Sequence, residues 1–193
     1  MPICIGGAAQ KFSKIIYEKV KKRIGISEKL EVEEKLDEFG NIVYYHPKVL
    51  EYFDVDYRYI QINRFPQKYT PQDETWENEL GFKTKDCRGS EIRSIVYHPL
   101  KEASIEEIKK YNWPDPYDKR RIVGLKEEAK RLYEETDYAI GSYKATVGGI
   151  FDMGGVLMRG LDVFLTDLIC NKKLANVLLD KILEFSYGIY ECL

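Results

Sequence analysis

Three short runs rich in β-branched and aromatic residues, set far apart along the chain, constrain its fold more than any other feature. Ile3-Cys4-Ile5 ends at Gly6-Gly7, and residues 55–63 and 138–142 follow at long intervals. Such runs bounded by glycine or polar residues favour strands. Between the first two, Phe12, Ile15, Ile16, Val20 and Ile24 recur at helical spacing up to Gly25, a natural C-terminal stop. Val49, Leu50 and Phe53 add a short helical patch behind Pro47. A β-α-β-α-β order predicts an α/β fold with a parallel sheet, because a parallel neighbour is reached only through a crossover.

The second interval carries more than one element. From Arg64 to Tyr97 no helix is legible; Pro66, Pro71, Gly81 and Gly89 punctuate it, with Trp76, Phe82 and Ile92 as apolar anchors. About thirty residues of this kind form either a small sheet or a functional loop. Ser104 with Glu107 three residues on reads as a capping box for a short helix ending near Tyr111. Trp113-Pro114-Asp115-Pro116 cannot continue a helix. Asp118 is placed to cap the next one, over 119–135, whose apolar face is Ile122, Leu125, Ala129 and Leu132. One long helix is expected from Gly154 to Cys170, broken at Asn171, with another from Lys172 that runs into the last residues. Residues 27–38, dominated by Glu and Lys, read as solvated surface.

Charge and cysteine usage exclude several classes of function. Thirty basic residues stand against 32 acidic ones in 193, a net charge of -2, so the basic footprint of a nucleic-acid binder is missing. Charged residues interrupt every apolar run before the ~18 residues that a membrane span needs. Cys4, Cys87, Cys170 and Cys192 are scattered with no CxxC spacing, which fits reduced thiols rather than a disulfide framework or zinc ribbon. No basic stretch followed by an apolar one opens the chain, so a cytoplasmic location is expected. Cys4 and Cys170 read as small buried hydrophobes, and Cys87, beside Lys85 and Arg88, as the exposed thiol.

The run Tyr97-His98-Pro99-Leu100-Lys101 is followed by Trp113-Pro114-Asp115-Pro116 and by Gly124-Leu125-Lys126-Glu127-Glu128-Ala129-Lys130. Then come Leu132-Tyr133-Glu134-Glu135-Thr136-Asp137-Tyr138-Ala139, Gly149-Ile150-Phe151-Asp152, Arg159-Gly160, Phe164-Leu165-Thr166-Asp167-Leu168 and Leu178-Leu179-Asp180-Lys181-Ile182. In this order and spacing the chain resembles the uroporphyrinogen decarboxylase superfamily, nearest to its corrinoid-linked methyltransferase branch. The resemblance covers nearly the whole chain and is strongest over residues 97–185. It implies an α/β fold of the TIM (β/α)8 barrel type, with the active site at the C-terminal ends of the strands. Family members are usually much longer, so this chain is expected to supply a single N-terminal portion of three or so βα units, with 64–97 as an irregular insertion or small sheet.

In the decarboxylases, an arginine pair after the first strand holds substrate carboxylates, an Asp after the second holds pyrrole N–H groups, and a Tyr follows the third. Here Gly6-Gly7-Ala8-Ala9-Gln10 contains no Arg, Asn63 stands nearest the Asp, and Val156 falls nearest the Tyr. Asn accepts a hydrogen bond but carries no charge. The resemblance therefore implies corrinoid- or cobalamin-dependent methyl transfer to a small substrate. Two alternatives stay open: a catalytically incomplete barrel portion that needs a second chain, and a carboxy-lyase of porphyrin biosynthesis. In the methyltransferase branch a zinc ion held by His and Cys activates a thiol, and its ligands lie later in family chains. His46 and His98 are the only histidines here, and neither has a cysteine at ligand spacing. Implied partners are a small-molecule substrate and a corrinoid protein, with self-association or a complementing chain; neither nucleic acid nor membrane is expected.

Position just past the strand ends selects Gln10, Asn63, Arg64, Tyr143 and Asp152 as the expected substrate-binding residues. Asp152 reads equally as a carboxylate capping the helix that follows it. Arg159 is expected to pair with Asp152 or Asp162.

Overall fold

The computed structural model describes residues 2–5, 11–30, 36–87, 92–142, 146 and 148–193. Along the chain the elements are α1 (Lys14–Arg23), α2 (Pro47–Tyr52), β1 (Tyr57–Ile60), β2 (Lys68–Thr70), β3 (Thr75–Glu77), β4 (Lys83–Asp86) and β5 (Arg93–Tyr97). They continue as α3 (Ile105–Lys110), α4 (Leu125–Glu135), β6 (Ala139–Ser142), α5 (Leu161–Cys170) and α6 (Lys172–Glu191). A 3-10 turn spans Lys119–Arg121 and a π-helical segment spans Asp152–Arg159. The fold is mixed α/β: β1 and β6 form a two-stranded parallel sheet, and a second sheet has the order β2-β3-β4-β5, antiparallel along its β2–β3 and β3–β4 ladders. The described strands close no barrel. Among the described residues no helix is long and apolar enough to cross a membrane.

The chain divides into two compact units. The first comprises Met1–Ile62, Asp86–Ser94 and Gly124–Lys144. Its α1 starts at Ser13, whose hydroxyl accepts the Ile16 N–H, and ends before Gly25, which takes the left-handed conformation (φ 76°) open to glycine because it lacks a Cβ. Lys21, Lys22 and Arg23 complement the helix dipole in the last turn. Tyr17, Ile42 and Val49 form a buried cluster ringed by Phe12, Val20, Ile24, Leu36, Tyr45 and Phe53. Tyr45 meets both Tyr17 and Phe12 edge to face, at centroid distances of 5.4 and 5.7 Å. His46 caps α2, its Nδ1 accepting the Lys48 N–H at 3.1 Å, and Pro47 occupies the first helical position, where no donor is missed.

The parallel register runs from Tyr57 opposite Ala139 to Ile60 opposite Ser142, and α4 packs on both strands. Gly141 lies opposite Tyr59, and a Cβ there would stand 3.3 Å from the tyrosine ring. Residues 3–5, expected as a buried strand, form no ladder. Ile3 is 42% exposed, and its carbonyl accepts the Asp56 N–H at 3.0 Å just before β1. The solvated reading of 27–38 also fails at its end. Asp37 is 1% exposed because it closes a turn, accepting from the Phe39 and Asn41 N–H groups and from Lys11 Nζ. Residues 31–35 of that stretch lie outside the described residues.

The second unit comprises Asn63–Lys85, Ile95–Val123 and Ala145–Leu193. Here the interval 64–97 resolves into the small sheet. The β2–β3 hairpin turns at Asp73, whose carboxylate accepts from the Thr75 hydroxyl and N–H, while Tyr69 packs against Trp76 at 4.6 Å. The capping box at α3 is complete: the Ser104 hydroxyl accepts the Glu107 N–H, and the Glu107 carboxylate accepts the Ser104 N–H at 2.8 Å. Ser104→Ala removes the hydroxyl half and is expected to cost about 1 kcal/mol, measured by urea denaturation.

Two helices depart from expectation, each at a glycine. Asp118 caps the 3-10 turn rather than a helix over 119–135; Gly124 (φ 80°) intervenes and α4 begins only at Leu125. The long helix expected over 154–170 is divided by Gly160 (φ 85°) into the π-helical segment and α5. The π-helical geometry brings the ring of Phe164 to 2.6 Å from where a Cβ on Gly155 would lie. α6 packs against α3, α5 and the π-helical segment, with Leu174, Leu178, Ile182, Phe185 and Ile189 buried along its length.

Candidate functional site

Of the residues expected past the strand ends, Asn63 and Asp152 bond to backbone groups. Asn63 donates its side-chain amide to the carbonyls of Arg120 (3.1 Å) and Val123 (3.0 Å), and its own N–H to the Arg121 carbonyl, so it clasps the 3-10 turn. Arg64 beside it is half-buried. Asp152 accepts the Gly149 N–H at 3.0 Å near the start of its helical run, which is the capping geometry. Gln10 and Tyr143 lie outside the described residues.

Arg159 pairs with Asp167 at 2.8 Å, not with Asp152 or Asp162, and its Nη1 donates to the carbonyls of Leu100 and Ala103, both at 2.7 Å. Helical spacing misplaced that partner because Gly160 re-aims the chain between the two residues. Asp162 lies instead near Lys101, at 3.7 Å. Cys170, expected to be buried, is exposed at the end of α5. Cys4 and Cys87 are half-buried; the Cys87 thiol donates to the Ser94 hydroxyl at 2.8 Å. His98 is packed, with Nδ1 at 3.1 Å from the Leu157 carbonyl.

A site that none of those positions foresaw lies within the first unit. A cavity of about 290 Å³ runs along β1 beneath α2 and α4, lined by Ile5, Val43, Leu50, Tyr57, Arg58, Tyr59, Gln61, Glu128, Arg131, Leu132 and Tyr138, among others. Period-2 alternation puts Tyr57, Tyr59 and Gln61 on one side of the chain, and the two rings stack with planes 17° apart. Gln61 is 8% exposed. Its Nε2 donates to the Val43 carbonyl at 2.7 Å, which fixes the orientation of the amide, and leaves Oε1 buried with no hydrogen-bond partner among the described residues. Arg58 stacks on the Tyr138 ring at 3.5 Å and donates Nη1 to the carbonyls of Val55 and Tyr57. Arg131 pairs with Glu128 at 2.7 Å.

No family model, curated protein or solved structure matches this chain. The chemistry of the cavity therefore rests on its own side chains, and these are equipped for binding: tyrosines in the lining, the Gln61 Oε1 acceptor, and two arginines balanced by two carboxylates. Among the described residues no group of three or more His, Cys, Asp or Glu is placed to hold a metal ion. The one residue that could have exposed the site from sequence is Gln61, a polar side chain where the alternation of a buried strand calls for an apolar one.

Tyr59 makes the site sensitive to high pH. Burial, with the hydrogen bond to the Cys4 thiol (2.7 Å) second, pushes its phenol up to about 12 from the usual 10.0. A raised folded-state value means that the neutral phenol stabilises the fold. That contribution is whole below 10 and is lost as the pH climbs through about 12. Burial pushes Tyr111 up to about 12 as well, so ultraviolet titration should show a late phenolate component that Tyr59→Phe diminishes and does not abolish.

Proposed function

We propose that the chain forms the first βα units of a uroporphyrinogen decarboxylase-type (β/α)8 barrel and serves methyl transfer between a small substrate and a corrinoid presented by a partner protein. The observation that carries this reading is the parallel pairing of β1 with β6, with α4 preceding β6 and packing on both strands. A parallel pair needs such a crossover, and successive βα units laid side by side in chain order are how a barrel is assembled. The contact of Ile3 with Asp56 brings the first extended segment to the start of β1, as a further unit would. Asn63, uncharged and occupied by three backbone groups, supports methyl transfer over decarboxylation of a porphyrinogen, whose pyrrole nitrogens call for a carboxylate.

A corrinoid supplies a transferable methyl group on cobalt. The described cavity is far smaller than a corrin macrocycle, so it is not that group's seat, and no described residue is assigned a step on it. The test is to mix the protein with methylcobalamin and a small thiol and follow the visible spectrum of the cobalamin. Faster thiol-dependent demethylation supports the reading. A rate unchanged by the protein at saturating methylcobalamin, together with no binding of cobalamin, overturns it.

One observation favours the second reading, a barrel portion active only with a complementing chain. α5 turns Leu161, Leu165 and Ile169 outward at four-residue intervals, and Ile169 is 77% exposed. An apolar stripe of this kind is ordinarily covered. In that case the protein isolated from its source carries a second polypeptide, seen as a native mass above 22.6 kDa, and demethylation is confined to that particle.

A further inference from the structure

We propose that the cavity along β1 is a binding site for a small, uncharged, planar aromatic molecule that carries an N–H or O–H donor, which it gives to Gln61 Oε1. The inference goes beyond the methyl-transfer reading, since the cavity lies under α2 and α4 rather than past the strand ends.

Four observations set the ligand's chemistry. The first is the acceptor itself. Buried polar atoms are almost always satisfied, and Gln61 cannot satisfy Oε1 by flipping, because its Nε2 is committed to the Val43 carbonyl. An incoming donor completes it. The second is volume: an apolar cavity of about 150 Å³ holds a benzene ring, so about 290 Å³ accommodates a fused bicyclic one. The third is the wall. Tyr57, Tyr59 and Tyr138 line the cavity together with Leu50 and Leu132, an aromatic and apolar lining suited to an aromatic guest. The fourth is charge. Two arginines, Arg58 and Arg131, and two carboxylates, Glu51 and Glu128, line the cavity, so their charges balance and the lining favours a neutral molecule over an ion.

Indole and 1-methylindole separate the donor from the ring, because methylation removes the N–H and leaves the aromatic surface. Isothermal titration should show indole binding about tenfold or more tighter than 1-methylindole. Gln61→Met keeps length and polarisability without the acceptor, and should bring the two affinities together, with circular dichroism checking the fold. Should that variant not fold, the wild-type protein still decides the matter. Indole should shift the Gln61 side-chain amide resonance, and 1-methylindole at equal occupancy should shift it much less. Equal affinities, binding of neither compound up to its solubility, or shifts that bypass Gln61 overturn the proposal and leave Oε1 to solvent water.

Discussion

Arg121→Met is expected to destabilise the protein by about 3 kcal/mol, read as a lowered urea midpoint at unchanged slope. Arg121 is 1% exposed, the most thoroughly buried charge among the described arginines. Its guanidinium forks onto both oxygens of Glu79, donates twice more to the Asp115 carbonyl, and stands 4.6 Å from the centre of the Phe65 ring. Met restores most of the lost volume, so the cost is electrostatic: a carboxylate with its counter-ion removed and a carbonyl without a donor. The Glu79 side chain is 25% exposed, and water reaching it holds the loss at the lower end for a broken buried pair. Arg121→Lys should recover only part, since an ammonium cannot span both carboxylate oxygens and the carbonyl. Adding Glu79→Gln to Arg121→Met should restore stability relative to the single variant, because the uncompensated charge goes with it.

Arg159→Leu should cost at least as much, about 3–4 kcal/mol in the same denaturation experiment. Both members of this pair are covered: the side chains of Arg159 and Asp167 are 7% and 10% exposed. The arginine also holds the chain ahead of α3 through the Leu100 and Ala103 carbonyls. Its removal strands the Asp167 carboxylate and the Ala103 carbonyl, while the Leu100 carbonyl keeps only the Ala103 N–H. Amide hydrogen exchange should show faster opening of α3 in Arg159→Leu, whose N-terminal approach loses both ties, whereas Asp167→Asn should leave α3 protected because those carbonyl bonds persist.

Elements announced by a local signal were legible. β1 and β6 carry β-branched and aromatic runs, α1 has its apolar periodicity and glycine stop, and α3 has its capping box. The sheet β2–β5 gave no such signal, because strands as short as Lys68–Thr70 and Lys83–Asp86, built largely of Lys, Thr and Asp, are defined by partners and not by propensity. The helix breaks at Gly124 and Gly160 went unread because an isolated glycine inside an apolar periodicity does not declare whether it will take a left-handed conformation. Asn63 and Asp152 were selected by position on an implied barrel, and their side chains are committed to backbone groups. The cavity depends on how α2 and α4 lie over β1, a matter of tertiary packing that spacing along the chain does not encode.

The pairing of β1 with β6 also imposes a timetable on synthesis. Tyr57 and its partner Ala139 are separated by about eighty residues, so at ~5–20 residues per second β1 waits roughly ten seconds for its neighbour to be made. Throughout that time its unpaired N–H and C=O groups are a template for any other extended chain. Within Tyr57–Ile60 the single charge is Arg58, set between two tyrosines where an uncharged residue would complete a four-residue apolar segment. Until Tyr138 exists for it to stack on, that guanidinium is the one charge within the strand that opposes such pairing.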